Sequence, residues 1–185
     1  MESTENSYPE LAEGEQLLWA GRPEGVMLLD SVMKTRTIVI WILCCLLILI
    51  GFYCAAVLLS AATLGQRIAL LVVLDLIPVL ILCNTIRDTR ALQNRTQYHV
   101  TNRRVLVRTP YTDYSLPLSA GLAAEIGREN RSVRLGKAVG MKPVRERNAT
   151  LTNSFRNEEG KAEGVVLYNL SDPDAVLRLI RANLS

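Results

Sequence analysis

The sequence predicts an α+β protein in two parts: a membrane hairpin of two apolar helices and a β-sandwich or barrel capped by a C-terminal helix. Three observations carry this reading. Residues 37–60, TIVIWILCCLLILIGFYCAAVLLS, contain no charged side chain, and a second apolar run, IALLVVLDLIPVLILCNTI at 68–86, follows after the short connection AATLGQR. From residue 98 onwards the pattern changes to short alternating runs punctuated by turn residues, the signature of half-buried strands. The last fifteen residues, SDPDAVLRLIRANLS, place Val176, Leu177, Ile180 and Leu184 at helical spacing.

In chain order, residues 1–13 read as a disordered tail and 14–36 as a cytoplasmic segment. Within the latter, Leu17, Leu18 and Trp19 are too apolar to be left in water, and Gly21-Arg22-Pro23 signals a bend. The segment is therefore expected to fold back onto the soluble part and not to form a free tail, an added strand being one form this could take. Residues 37–86 read as a transmembrane hairpin, with spans at 37–60 and 68–86. As helices these would extend about 36 Å and about 28 Å, against a hydrocarbon core of about 30 Å. Lys34 and Arg36 precede the first run and Arg87, Arg90 and Arg95 follow the second, whereas the connection holds only Arg67. Both termini are then expected on the cytoplasmic side.

Several residues inside the runs invite comment. Gly51 would let two helices approach closely, and Pro78 would kink the second. Asp75 is an ionisable group within a span, a functional candidate by default. It reads first as a protonated or hydrogen-bonded carboxyl that fixes helix pairing, with the Tyr53 hydroxyl as its donor across the hairpin. Cys44, Cys45, Cys54 and Cys83 all fall within residues 37–86 and show no metal-ligand spacing, so they read as packing.

Residues 87–185 read as the cytoplasmic domain. The runs YHV, RVLVRT, YSLPL, AAEIG, SVRLGKAV and GVVLYNL are strand-like, with turn signals at Gly127–Asn130 and Asn157–Gly160. The polar stretch 145–163 is expected to be a long hairpin or a mobile loop. In the final helix Ser171 or Asp172 serves as N-cap, Pro173 opens the first turn, and Asp174 complements the helix dipole.

Charge and chemistry then narrow the function. Residues 1–36 carry a net charge of −4 and residues 87–185 a net of +7. A basic half beside an apolar block points to an anionic partner, and the apolar block favours lipid over nucleic acid. Aromatic platforms interleaved with the basic residues are missing, so nucleic acid is not expected as a partner. An enzyme is the weakest class: the single histidine, His99, alternates within a strand pattern with no Cys, Asp or Glu cluster beside it. No phosphate-binding Gly-rich loop and no zinc motif occurs, and no cofactor is expected.

Two patches carry a family resemblance. Leu18–Pro23, within GEQLLWAGRPEG, and Tyr98–Val105, within TQYHVTNRRVLVRT, together with YSLPLSAGLAAEI downstream, resemble the bacterial membrane proteins that carry a pleckstrin-homology-like domain. The likeness covers most of residues 14–183. It implies an orthogonal β-sandwich closed by the final helix, a location in the bacterial inner membrane as a multi-pass protein, and no established catalysis.

The function expected is a non-catalytic, membrane-anchored interaction module that docks a protein partner or assembles with copies of itself. The alternative is a sensor of anionic lipid, with Arg87, Arg90, Arg95, Arg103 and Arg104 as the residues nearest the headgroups. Anchorage by two helices would make lipid affinity unnecessary for localisation, which favours the interaction role.

Overall fold

The computed structural model describes residues 11–25, 34–58 and 63–184. The chain forms two compact units, one of Met1–Val26 with Arg90–Ser185 and the other of Met27–Thr89.

The first unit is built on two antiparallel sheets. Strands β1 (Leu17–Gly21), β2 (Gln97–Thr101), β3 (Arg104–Arg108) and β4 (Asp113–Pro117) form one sheet in sequence order. Strands β5 (Ala124–Gly127), β6 (Ser132–Gly136) and β7 (Gly164–Leu167) form the other. Period-two alternation decides which side chains face inward. Val105 and Val107 of β3 and Tyr114 and Leu116 of β4 are buried, while their neighbours are more accessible. They meet Val133 and Leu135 of β6 and Val165 and Leu167 of β7 in one core.

Helix α4 (Pro173–Ala182) closes this core with Val176, Leu177 and Ile180. Its start is fixed by Asp172, whose carboxylate accepts the Ala175 N–H at 2.9 Å, with Pro173 in the first turn. The Tyr98 hydroxyl lies deep in the core and is satisfied there: it donates to the Tyr168 carbonyl and accepts the Tyr168 N–H at 3.1 Å.

β7 is buried on both faces. Val166 and the following Tyr168 turn away from the main core and join Ala91, Leu92, Ala138, Ala149 and Leu151 in a second apolar cluster. Ala149 and Leu151 belong to helix α3 (Pro143–Thr152), which occupies part of the stretch expected to be a hairpin or a loop. Pro143 supplies the fixed φ of a first helical turn, and Asn153 ends the helix in the left-handed region at φ 47°. Hydrophobic periodicity did not reveal this helix because its inward face is largely polar: Glu146, Arg147 and Thr150 are buried.

The N-terminal segment adds a strand, as its apolar residues imply. β1 pairs antiparallel with β2, Trp19 opposite Val100 and Gly21 opposite Tyr98, with an irregularity between Leu17 and Trp19. Trp19 packs against the main core. Residues 1–10 of the expected tail lie outside the described residues, and Leu11–Glu15 form a turn in which the Glu15 N–H donates to the Ala12 carbonyl.

The second unit holds helix α1 (Lys34–Tyr53), a π-helical turn (Cys54–Leu58) and most of helix α2 (Leu64–Arg95). Here the expectation of a transmembrane hairpin requires correction. Among the described residues, no helix is long and apolar enough to cross a membrane. The first apolar run is not one α-helix, since regular hydrogen bonding gives way to a π-turn at Cys54. The second run is part of a longer helix that also takes in the charged residues from Arg87 to Arg95. The membrane half of the expected fold class, and with it the multi-pass inner-membrane location with cytoplasmic termini, is therefore set aside.

The apolar character of these helices is nonetheless real. Ile42, Leu43, Leu46, Leu47, Leu49 and Ile50 of α1 are all exposed, Leu49 to 64%, whereas Cys44 and Gly51, seven residues apart, are buried on one stripe. On α2, Val72, Val73, Leu76, Val79 and Leu80 are exposed as well.

Candidate functional site

The site is the turn between β2 and β3 together with the N-terminal segment lying against it. Thr101, Asn102, Arg103 and Arg104 make the turn. The Thr101 hydroxyl organises it by accepting the N–H groups of Arg103 and Arg104 at 3.2 and 2.9 Å. Asn102 faces the incoming chain. Its side-chain oxygen accepts the Gln16 N–H at 2.9 Å, its amide donates to the Gly14 carbonyl, and its own N–H donates to the Gln16 carbonyl at 3.1 Å. One side chain thus reads the backbone on both sides of Glu15.

Glu15 sits at the centre and is only 7% exposed. Its carboxylate accepts from Arg104 Nε at 2.8 Å and Arg104 Nη2 at 2.9 Å, from the Thr101 hydroxyl at 2.7 Å, and from the Ala12 N–H at 2.9 Å. The paired bonds from one guanidinium give the two-pronged geometry that arginine alone provides. The Arg104 guanidinium, against the opposing effect of burial, holds the Glu15 carboxyl down at about 2, with the Ala12 N–H and Thr101 hydroxyl assisting. Reciprocally, the bond from Glu15 raises Arg104 above the usual arginine range.

A second anchor lies at the far end of the segment. The Glu24 N–H donates to the Asn169 carbonyl at 2.7 Å, and the Asn169 side-chain amide donates back to the Glu24 carbonyl. Arg131 approaches the Glu24 carboxylate at 3.4 Å. Between the two anchors run β1 and the buried Pro23.

The five arginines expected to form one basic patch are divided. Arg87, Arg90 and Arg95 are exposed near the end of α2, whereas Arg103 and Arg104 lie at the opposite end of β2. Within the first unit, the five-residue β2 separates Arg95 from Arg103 and Arg104 by about 17 Å, beyond the screening length at physiological salt, about 8 Å. Arg103 is exposed; Arg104 is committed to Glu15. Tyr53 is exposed at the end of α1, and the Asp75 side chain lies outside the described residues, so the expected pair of the two is not placed.

Two further clusters went unnoticed in the sequence. In the first, buried Glu146 of α3 accepts from Asn130 at 2.9 Å, from the Ser132 hydroxyl at 2.7 Å and from Arg134 Nε at 2.6 Å. Arg134 also donates to Glu125 at 2.8 Å, and that carboxylate accepts the Gly140 N–H. Burial works against the charge on Arg134, but its bonds to Glu125 and Glu146 keep its pKa raised. Glu125 is correspondingly lowered, by the Gly140 N–H first and Arg134 second. Gly127 seals the cluster, for a Cβ there would fall 2.3 Å from the Ser132 hydroxyl and 2.7 Å from Glu146. Charged residues within a polar run are the only signal the sequence offered for it.

The second is a shallow depression of about 210 Å³ lined by His99, Leu106, Arg108, Asp113 and Ser115. His99 is 6% exposed, and burial first, then the nearby Arg108, lowers its pKa. The register places Leu106 between His99 and Ser115. Histidine and serine therefore stand two strand spacings apart, about 10 Å, too far for proton transfer between them.

Compared with protein-family models, curated proteins and solved structures, the chain matches none.

Proposed function

We propose that the chain is a non-catalytic interaction module, built on a pleckstrin-homology-like sandwich, that docks a protein partner or assembles with copies of itself. The observation that carries this reading is the exposed apolar surface of α1 and α2. Of the large apolar side chains exposed among the described residues, all but Leu11 and Tyr111 lie between Ile38 and Ile86. A patch of that extent marks a contact surface that an apolar protein surface covers. The two-sheet architecture closed by α4 supports the pleckstrin-homology-like comparison, and the spacing of His99 and Ser115 speaks against hydrolytic chemistry there.

The alternative, sensing of anionic lipid, draws support from the exposed Arg87, Arg90, Arg95 and Arg103, but Arg104 is already bonded to a carboxylate. Association of the full chain with itself, followed by cross-linking in mild detergent and in neutral or anionic vesicles, separates the two. The interaction role predicts cross-linked species that do not depend on lipid charge. Association that occurs only with anionic vesicles and is abolished by salt would favour lipid sensing instead. A fragment beginning at residue 87 is unsuitable for this test, because it lacks β1 and Glu15.

A further inference from the structure

Self-assembly needs a surface on which one copy recognises another, and the molecule already contains a peptide-recognition track with a ligand in it. The track runs from Thr101–Arg104, along the edge of β2 that β1 occupies, to Arg131 and Asn169. Its ligand is the chain's own Ala12–Glu24 segment. We propose that this track is exchangeable: the Ala12–Glu24 segment of one copy takes its place on the sheet of a second copy, so that two copies assemble by reciprocal strand exchange. The inference rests on the self-assembly reading above and gives it a mechanism.

Four features support it. The groups outside the segment that bond to it belong to residues 98–169, so a second copy presents the same set, and the contacts made within one chain can be remade between two. β1 is bonded to the sheet on one side only and none of its five residues is fully buried, so it can leave while β2, β3 and β4 stay paired. The irregularity between Leu17 and Trp19 interrupts the ladder near the start of β1, which weakens pairing there.

Finally, recognition is selective in a way ordinary strand pairing is not. It requires a carboxylate in the fork of Arg104, backbone groups on either side for Asn102, a tryptophan four residues on, and a second carboxylate beside Arg131. The residue before the first carboxylate is Gly14 at φ +73°, where an added Cβ would also come within 3.2 Å of the Arg103 guanidinium. The occupant is thus a Gly-Glu turn followed by a strand that carries apolar residues. This chain carries one.

The experiment uses two full-length variants in mild detergent, E15K and R104E. Each alone sets like charges against each other, both within a chain and between two identical chains. In a mixture, exchange brings the reversed charges together at one site and native Glu15 against native Arg104 at the other. The expected result is fast amide hydrogen exchange at Leu17–Gly21 in either variant alone. On mixing, exchange there slows at least tenfold and a species of twice the mass appears. A chain carrying both substitutions checks that the reversed pair still permits folding, with β1 protected in isolation. If the mixture behaves as the sum of its parts while the native chain self-assembles, strand exchange is overturned and assembly uses another surface. If the mixture pairs while the native chain stays monomeric, the track is exchangeable and the self-assembly reading falls.

Discussion

The two units handle apolar side chains in opposite ways. In the sandwich, Val105, Val107, Val133, Leu135, Val165 and Leu167 are at most 1% exposed. On α1 and α2, residues of the same kind and size are about half exposed. The composition of the two regions would not predict this, since both are rich in Leu, Ile and Val. The difference lies in period and closure. Strands with polar residues at alternate positions can hide the other half against a facing sheet, whereas a helix apolar all round has no side to give to water. The sandwich is complete in itself. The helical unit calls for a partner.

That contrast can be tested by matched perturbations, the largest effect coming from the buried charges. Arg134→Met should destabilise the sandwich by about 3–5 kcal/mol, because it leaves Glu146 buried with its charge uncompensated. Denaturant unfolding followed by the near-UV signal of the tyrosines reads it. Replacement of Glu146 and Arg134 together by apolar residues should cost less than the single change, and a larger cost would show that the network does more than balance itself.

A pair of equal truncations sharpens the comparison further. Leu135→Ala removes a fully buried side chain and should cost about 2–5 kcal/mol. Leu47→Ala removes the same atoms from an exposed position and should stay within about 0.5 kcal/mol for the isolated chain, yet weaken association measured by cross-linking. Equal losses at both sites would mean that Leu47 is as well packed as Leu135, and the contrast between the units would be gone.

The docking of β1 is expected to be intermediate and pH-dependent. Glu15 holds its proton less tightly in the folded chain than its ordinary value of 4.5, being lowered to about 2. Its contribution, about 3 kcal/mol, is therefore complete above pH 4.5 and is lost as pH falls towards 2. Trp19 fluorescence should report release of the strand across that window, and Glu15→Gln should flatten the transition while weakening docking at neutral pH. An unchanged acid transition in the variant would assign the release to another group.

The smallest effects belong to the exposed arginine. Arg103→Lys should leave both stability and binding to anionic vesicles nearly unchanged, and Arg103→Gln should weaken vesicle binding only modestly, since one exposed charge is worth about 1 kcal/mol near an anionic surface. Arg104→Lys, by contrast, should loosen β1, because an ammonium cannot reproduce the two parallel bonds to Glu15. Loss of vesicle binding from Arg103→Lys alone would point to a dedicated headgroup pocket.

How much of this was legible beforehand follows from what periodicity can see. Strands β2 to β7 and helix α4 announce themselves by alternating or helically spaced apolar residues and by turn and cap chemistry. Even β1 could be inferred from Leu17, Leu18 and Trp19, stranded in a polar segment. Helix α3 could not, because Glu146, Arg147 and Thr150 face inward and the apolar stripe is missing. The Thr-Asn-Arg-Arg turn was visible, but its arginines were read as facing a membrane. The partner that claims Arg104 is a single glutamate near the N-terminus, and no local pattern links the two. At 37–60, finally, apolar composition marked the run but not where its α-helix would stop, since the π-turn at Cys54 depends on hydrogen bonding that hydropathy does not record.

The strand that completes the first sheet is encoded ahead of the apolar helices, while the strand it joins is encoded after them. Gln16 and Asn102, bonded to each other, are 86 positions apart. At a synthesis rate of about 5–20 residues per second, the segment waits roughly 4–17 s between leaving the ribosome and meeting its sheet. During that interval the whole of α1 and α2 must be made. Closure of the sandwich is therefore a record that the intervening helices have been synthesised, and a chain stalled among them would display an unclaimed Gly-Glu-Gln-Leu-Leu-Trp strand to its surroundings.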